Sequence, residues 1–345
     1  FMTDWYIDQM KAKAYESNPL PISFKHSEYV GDNRDYVAYI QKIDTRWNIK
    51  DFIDFIKNPK STVGLQNGQT IHFYPTNKIR VNVDKNTIIQ NKVVNPKYYD
   101  SIVPYIDIDI QGSALYKNRL MMLDVVAQNN WKRPIYFCST VPSEQFNGLD
   151  NYLYNEGLAL RLLPLKQDSL NSMGDQAINL DPMYNHVMNK FKWGNMKTAK
   201  YLDPQSSDDT FIFTNIFSSL TNSLIKEGKT AEAKKVVDKY FAVMPDKFFG
   251  IRTVVVKFYM AENLYKLGET ARANDILDKS GDYINKELNY LADISQSKGL
   301  TGSQNIQTGL YYLDRMIKTS KAAGQDKLSD KLQKTFNNLE GRLSM

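Results

Sequence analysis

The sequence predicts an α/β or α+β domain followed by an all-α, tetratricopeptide-like helical-repeat domain. Three observations carry this. Residues 1–165 mix short strand-like runs with short apolar helices. From Asp208 onward the pattern is helical and repeats with an offset of 40 residues. Between them, residues 166–207 read as an irregular connector. A chain of 345 residues has length for about two domains of 100–200 residues each.

The first domain follows from local chemistry. Asp4 to Tyr15 can form a helix capped by Thr3 or Asp4, ended by Asn18-Pro19-Leu20-Pro21 because proline disfavours helix in the residue before it. Ile49 to Ile56 is apolar at helical spacing, with Asp51 and Asp54 outward, and stops at Asn58-Pro59. Thr70–Tyr74 and Lys78–Val83 are strand-like and flank a Pro75-Thr76-Asn77 turn. Tyr105 to Ile110 alternates, with Ile106, Ile108 and Ile110 on one face and Asp107 and Asp109 on the other. Ser113 to Asn129 reads as an amphipathic helix, and Pro134 to Ser139 as a buried strand. Together they suggest a small α/β layer.

The connector holds Met173-Gly174-Asp175, Asp181-Pro182 and Asp203-Pro204, with a short helix near Met183 to Lys190. A segment of that length is expected to wrap a domain surface. Asp208 and Asp209 read as the N-cap of the next helix. Leu224-x-Lys226-x-Gly228-x-Thr230-Ala231-x-Ala233 is matched by Leu264-x-Lys266-x-Gly268-x-Thr270-Ala271-x-Ala273. Val236-Val237-Asp238 and Ile276-Leu277-Asp278 extend the match. The pattern is that of a helix hairpin. Gly ends the first helix, Ala sits where the helices cross, and Pro245 ends the second. It resembles the tetratricopeptide pattern, with a period of 40 rather than about 34. A third, degenerate unit is expected around Leu313 to Phe336, with Gly324 at its turn.

Composition excludes more than it identifies. With 44 basic and 38 acidic residues the net charge is +6. The region from Asp208 on holds 20 basic and 17 acidic residues, hence +3, and the remainder the other +3. No basic patch is confined to one domain, and nucleic acid is not an expected partner. The single Cys excludes an internal disulfide and a Cys-cluster metal site. No apolar run approaches the ~20 residues of a membrane span. The stretch Thr210–Ile225 is broken by polar residues and reads as an amphipathic helix. The start lacks a signal peptide, and Phe1 reads as a cut inside a longer chain.

His26, His72 and His186 share no metal-ligand spacing, and Cys138 reads as a buried strand cysteine, so no metal or cofactor is expected. Asp107 and Asp109 are either a cation or acid–base pair or the charged face of an edge strand; the latter is the simpler reading. Gly31-Asp32-Asn33-Arg34-Asp35 lacks the spacing of a calcium loop and reads as a turn. Trp131-Lys132-Arg133-Pro134 is basic, suited to a phosphate or acidic group, or simply leads into a strand. Aromatics make up 12% of the chain, with 22 Tyr, which suits sugar or peptide surfaces as well as cores.

Several phrases occur in a characteristic order. They are Met2-Thr3-Asp4-Trp5-Tyr6-Ile7-Asp8-Gln9, Trp131-Lys132-Arg133-Pro134-Ile135-Tyr136-Phe137, and Gly148-Leu149-Asp150-Asn151-Tyr152-Leu153. Glu156-Gly157-Leu158, Arg161-Leu162-Leu163-Pro164, Asn189 to Asn195 and Tyr201-Leu202-Asp203 follow. This order resembles the extracytoplasmic C-terminal part of a family of large bacterial multi-spanning membrane proteins carrying a domain of unknown function. That family is similar to GT-C protein O-mannosyltransferases, including an animal relative that also ends in tetratricopeptide repeats. The resemblance implies that the spans, the catalytic carboxylate and a polar loop lie upstream of Phe1, truncating the α/β layer at its first strand. No catalytic residue carries over. The motif positions that do are Asp4, Trp5, Lys132, Arg133, Glu156 and Arg161, taken as binding residues, with a Glu156–Arg161 pair as the plainer alternative.

The function this implies is a non-catalytic periplasmic accessory domain of a membrane-embedded, lipid-sugar-dependent glycosyltransferase in the inner membrane. It would hold an acceptor protein or peptide, or a glycan, beside its own upstream transmembrane region. The alternative is a protein-interaction scaffold of a membrane protein with no glycosyl transfer. A hydrolase or metal enzyme within residues 1–165 would rest on Asp107 and Asp109 alone.

Overall fold

The computed structural model describes residues 1–13, 17–66, 68–167, 177–298 and 304–343. Tyr15 and Met173-Gly174-Asp175, named above, lie outside them. The chain divides into two compact units, Phe1–Ala177 and Ile178–Met345.

The first unit begins with α1 (Asp4–Lys11), β1 (Tyr36–Tyr39) and β2 (Trp47–Asn48). Then come α2 (Ile49–Lys57), β3 (Thr62–Gly64), β4 (Thr70–Tyr74), β5 (Lys78–Asn82) and α3 (Lys85–Gln90). It continues through β6 (Tyr105–Asp109), β7 (Ala114–Tyr116), α4 (Lys117–Asn129), β8 (Tyr136–Cys138), β9 (Leu153–Asn155) and β10 (Ala159–Leu162). The strands form three small sheets, ordered β3-β4-β1-β7, β2-β5-β6 and β8-β10-β9. The β1–β4 and β2–β5 pairs are parallel and the others antiparallel.

Helix α2 is capped by the Asn48 side chain, which accepts from Lys50 N, and buries Ile49, Phe52, Ile53 and Ile56 against α4 and β4. The strands around Pro75 do not make a hairpin. β4 belongs to the first sheet and β5 to the second. Pro75 lacks an N–H for a ladder and instead offers its carbonyl to Lys42 and Ile43, while Asn77 O accepts from Ile110 N. That pins the chain where it passes between sheets.

The predicted helix from Ser113 starts later, at Lys117, because Ala114–Tyr116 pair with β1 as strand β7. It is also not amphipathic in the simple sense. Leu120, Met121, Leu123, Asp124, Val126 and Ala127 are all buried. Asp124, fully buried, accepts from Ser23 N (2.5 Å), Ser23 Oγ (2.8 Å) and Gln128 Nε2 (3.2 Å). The strand predicted as buried over Pro134–Ser139 shrinks to β8, in which only Phe137 is buried; Cys138 is exposed. The strand is half-buried, so its side chains alternate between core and solvent.

The second unit opens with α5 (Leu180–Asn185) and one π-helical turn, His186–Lys190. Six helices follow: α6 (Pro204–Lys226), α7 (Thr230–Val243), α8 (Ile251–Lys266), α9 (Thr270–Lys298), α10 (Gln304–Ala322) and α11 (Asp326–Leu343). Asp208 and Asp209 are not the cap of α6. Asp203 is, its carboxylate accepting from Ser206 N at 3.0 Å, with Pro204 in the first turn. The helices pair as three hairpins, and α6 packs on α8, α8 on α10 and α9 on α11.

Gly228, Gly268 and Gly324 end the first helix of each hairpin at φ +72, +75 and +70. At each turn two backbone bonds close the helix end: Gly228 N to Ile225 O with Lys229 N to Leu224 O, and their counterparts at Gly268 and Gly324. Ala233 and Ala273 are fully buried at the crossings, and Ser329 takes that place in the third hairpin.

Candidate functional site

Helix α4 ends in an unusual turn. Asn130 and Trp131 are consecutive non-glycine residues in the left-handed region, at φ +46 and +57. Each such residue costs about 1–2 kcal/mol and persists only where its surroundings fix it. Here Asn91 Nδ2 donates to Trp131 O at 3.1 Å, Asn129 Nδ2 to Arg133 O at 2.7 Å, and Lys132 N to Asn129 O at 3.0 Å. Trp131 is buried in the core, so the two residues after it are thrust to the surface.

Beside this turn lies a small cleft. Asn91, Trp131, Lys132, Arg133, Arg161 and Leu162 are among the residues that line it. Three of the six motif residues, Lys132, Arg133 and Arg161, therefore meet at one cleft. Arg133 Nη1 donates to Asn18 O (3.0 Å) and Pro19 O (2.9 Å), which steadies its guanidinium. Lys132 is exposed and makes no ion pair among the described residues.

Arg161 sits on β10 directly opposite Tyr136 of β8 and Tyr154 of β9, so the three side chains share a sheet face. Its guanidinium lies 5.9 Å from the Tyr136 ring. Arg161 Nη1 pairs with the buried Glu156 Oε1 at 3.4 Å, and Tyr136 OH donates to Glu156 Oε2 at 2.8 Å. The Glu156–Arg161 pair expected as the plainer alternative thus exists. Burial and then the Glu156 carboxylate push the Tyr136 phenol up to about 12. Arg161 Nε is buried and has no hydrogen-bond partner among the described residues.

Glu156 does not itself line this cleft, and neither do Asp4 and Trp5. Asp4 accepts from Lys117 Nζ (3.0 Å) and from Gly31 N (2.8 Å), and these bonds hold its carboxyl below the usual range. Lys117, with a fully buried side chain, also pairs with Asp35 and donates to Tyr29 O (2.7 Å). Asp4 is an anchor of that network. Trp5 is two-thirds exposed and meets Tyr6 edge-on at 5.8 Å.

Asp107 and Asp109 are on an edge strand, as the simpler reading had it, and both are ion-paired. Arg80 grips Asp107 through Nε (2.6 Å) and Nη2 (2.8 Å), while Arg46 Nη2 meets Asp109 at 2.7 Å. The 31–35 segment is a turn, in which the buried Arg34 donates to Glu28 O, Ile56 O and Lys57 O. Among the described residues no group of three His, Cys, Asp or Glu side chains is placed to hold a metal ion. None of the described helices is long and apolar enough to cross a membrane.

Residues 1–181 match the family model described as TMEM260-associated domain 2. The chain belongs to that family. The matched span contains the cleft and all six motif residues, so the TMEM260-associated domain coincides with the first unit and the start of the second. This agrees with the resemblance read from the motifs at the level of a domain of a TMEM260-type membrane protein. No curated protein and no solved structure matches the chain.

Sequence reasoning missed Asn91, Asn129 and the Tyr136–Arg161–Tyr154 row. A signal for the turn was present: Asn129-Asn130 precedes the basic phrase, and Asn is the residue after Gly that best tolerates the left-handed region.

Proposed function

We propose that this chain is a non-catalytic, extramembrane binding domain of a TMEM260-type membrane protein. In this reading it faces the periplasm from the inner membrane and serves a GT-C, protein O-mannosyltransferase-like glycosyltransferase by holding the acceptor protein or peptide. The observation that carries it is the convergence of Lys132, Arg133 and Arg161 on one cleft. Residues far apart in sequence, two of them fixed by buried or backbone partners, make a preorganised surface for a ligand. The stacked helix hairpins add extended surface of the kind that solenoids use to bind partners.

The test uses the intact membrane protein in a sugar-transfer assay. Lys132→Gln and the Lys132→Gln/Arg133→Gln pair should raise KM for the acceptor and leave kcat unchanged, because binding is lost equally in ground and transition states. A fall in kcat with unchanged KM would overturn the non-catalytic role. Absence of transfer by the intact protein would leave only the scaffold function.

A further inference from the structure

We infer that the Lys132–Arg133–Arg161 cleft binds a phosphate group. This rests on the reading of the cleft as a binding surface and adds the class of ligand.

Charge comes first. The lining residues include three cations and no acid. Glu156, which does not line the cleft, is paired to Arg161 and offsets one charge. Two positive charges remain, which matches a phosphate monoester carrying between −1.5 and −2 at neutral pH. A carboxylate would leave one of them unmatched.

Geometry adds a second argument. Among the described residues, Arg161 Nε is a buried donor with no hydrogen-bond partner. Such donors are rare, because an unmade hydrogen bond in a buried site is costly. Nη1 of the same guanidinium is already committed to Glu156, so Arg161 is held in place with Nε left over. Lys132 lines the same cleft from a turn whose two left-handed residues are fixed by Asn91 and Asn129. A phosphate offers three acceptor oxygens to donors carried by two different elements, the turn after α4 and strand β10.

Calorimetric titration of the 345-residue chain with inorganic phosphate, and flotation with phosphatidic acid vesicles in a neutral lipid background, test this. Saturable binding in either arm is expected. Lys132→Gln should weaken it about tenfold, as loss of one charge-assisted contact does. Arg161→Lys keeps the charge and the Glu156 pair but lacks Nε, and should also weaken it. Binding of free phosphate assigns a soluble ligand, and binding only to vesicles assigns a lipid headgroup. No binding in either arm, equal competition by acetate, or affinity unchanged in both variants would overturn the inference. Should phosphate fail while Lys132→Gln still raises the acceptor KM, the binding function stands and only the ligand class falls.

Discussion

At the scale of single residues, two buried lysines behave in opposite ways because one is paired directly with carboxylates and the other only senses them at a distance. Lys117 is buried with Asp4 and Asp35. Burial alone would lower its pKa, but the hydrogen bonds to Asp35 and Asp4 outweigh it and the pKa is raised. Lys117→Met should cost about 2–3 kcal/mol, since it takes the cation from two carboxylates, Asp4 and Asp35, and from the carbonyls of Tyr29 and Gly31. Asp4 is depressed by that lysine, and Asp8 by Tyr29 and then His26. A depressed carboxylate contributes stability that is present above its unfolded pKa of about 3.9 and is lost as pH falls through the folded value. Urea midpoints should therefore fall as pH drops below about 4. The fall should be shallower in Lys117→Met, and an unchanged slope would remove Asp4 from the account.

Lys257 on α8 is buried with its ammonium 4.2 Å from the Phe248 ring centre. Burial pushes it down to about 8, and the nearby Asp246, Lys279, Lys197 and Asp275 modify that less. Here the folded value lies below the unfolded value of about 10.4, so the charged form is penalised at neutral pH and the penalty fades as pH rises. Lys257→Met should stabilise the second unit by about 2–3 kcal/mol at pH 7 and by much less at pH 10. Equal gains at both values would mean that packing, not charge, is what changed.

At the scale of elements, the glycines inside helices separate two causes of stability. Gly281 lies in α9 where an added Cβ would collide with the buried Leu332 side chain of α11. Gly341 lies in α11 with open space around it. Ala favours a helix over Gly by up to about 1 kcal/mol, so Gly341→Ala should raise the melting temperature. Gly281→Ala should lower it, because overpacking costs about 1–3 kcal/mol. The same packing explains what was legible from sequence. The first two hairpins were readable because α6 and α8 end in the same turn chemistry 40 residues apart, Leu224 to Gly228 and Leu264 to Gly268. The third was degenerate for two reasons. The 29-residue α9 displaces its turn, so that Gly324 follows Gly268 by 56 residues, and Ser320 and Ser329 replace Leu and Ala. Both serines are buried, their hydroxyls bonding back to carbonyls such as Ile317 O. The sheets of the first unit were less readable. Strands of two to five residues show alternation but not partners, so the two runs around the Pro75 turn were legible as strands but not as members of different sheets. The cleft was legible only as separate phrases. What joins them is the β8–β10 register, a long-range pairing with no local trace.

At the scale of the whole molecule, each unit has its own core. One is centred on residues such as Phe52, Ile79, Ile106 and Leu120, and the other on Phe217, Val254, Leu264 and Leu313. Units of about 170 residues bury enough surface to fold alone. The helical core does not begin at α6, however. Leu180, Met183 and Val187 are buried in it, and the Trp193 ring lies 4.9 Å from Phe217 and 5.2 Å from Phe213. At about 1.5–3 kcal/mol per fully buried side chain, losing the first three alone costs roughly 5 kcal/mol or more. That is a large share of the 5–15 kcal/mol by which a domain is stable. A fragment of residues 178–345 should therefore melt cooperatively with a strongly helical circular dichroism spectrum. A fragment of residues 204–345, which keeps all three hairpins intact, should melt many degrees lower or without a sharp transition. Equal melting of the two would mean that the hairpin stack is self-sufficient and that the segment before it is only laid against its side.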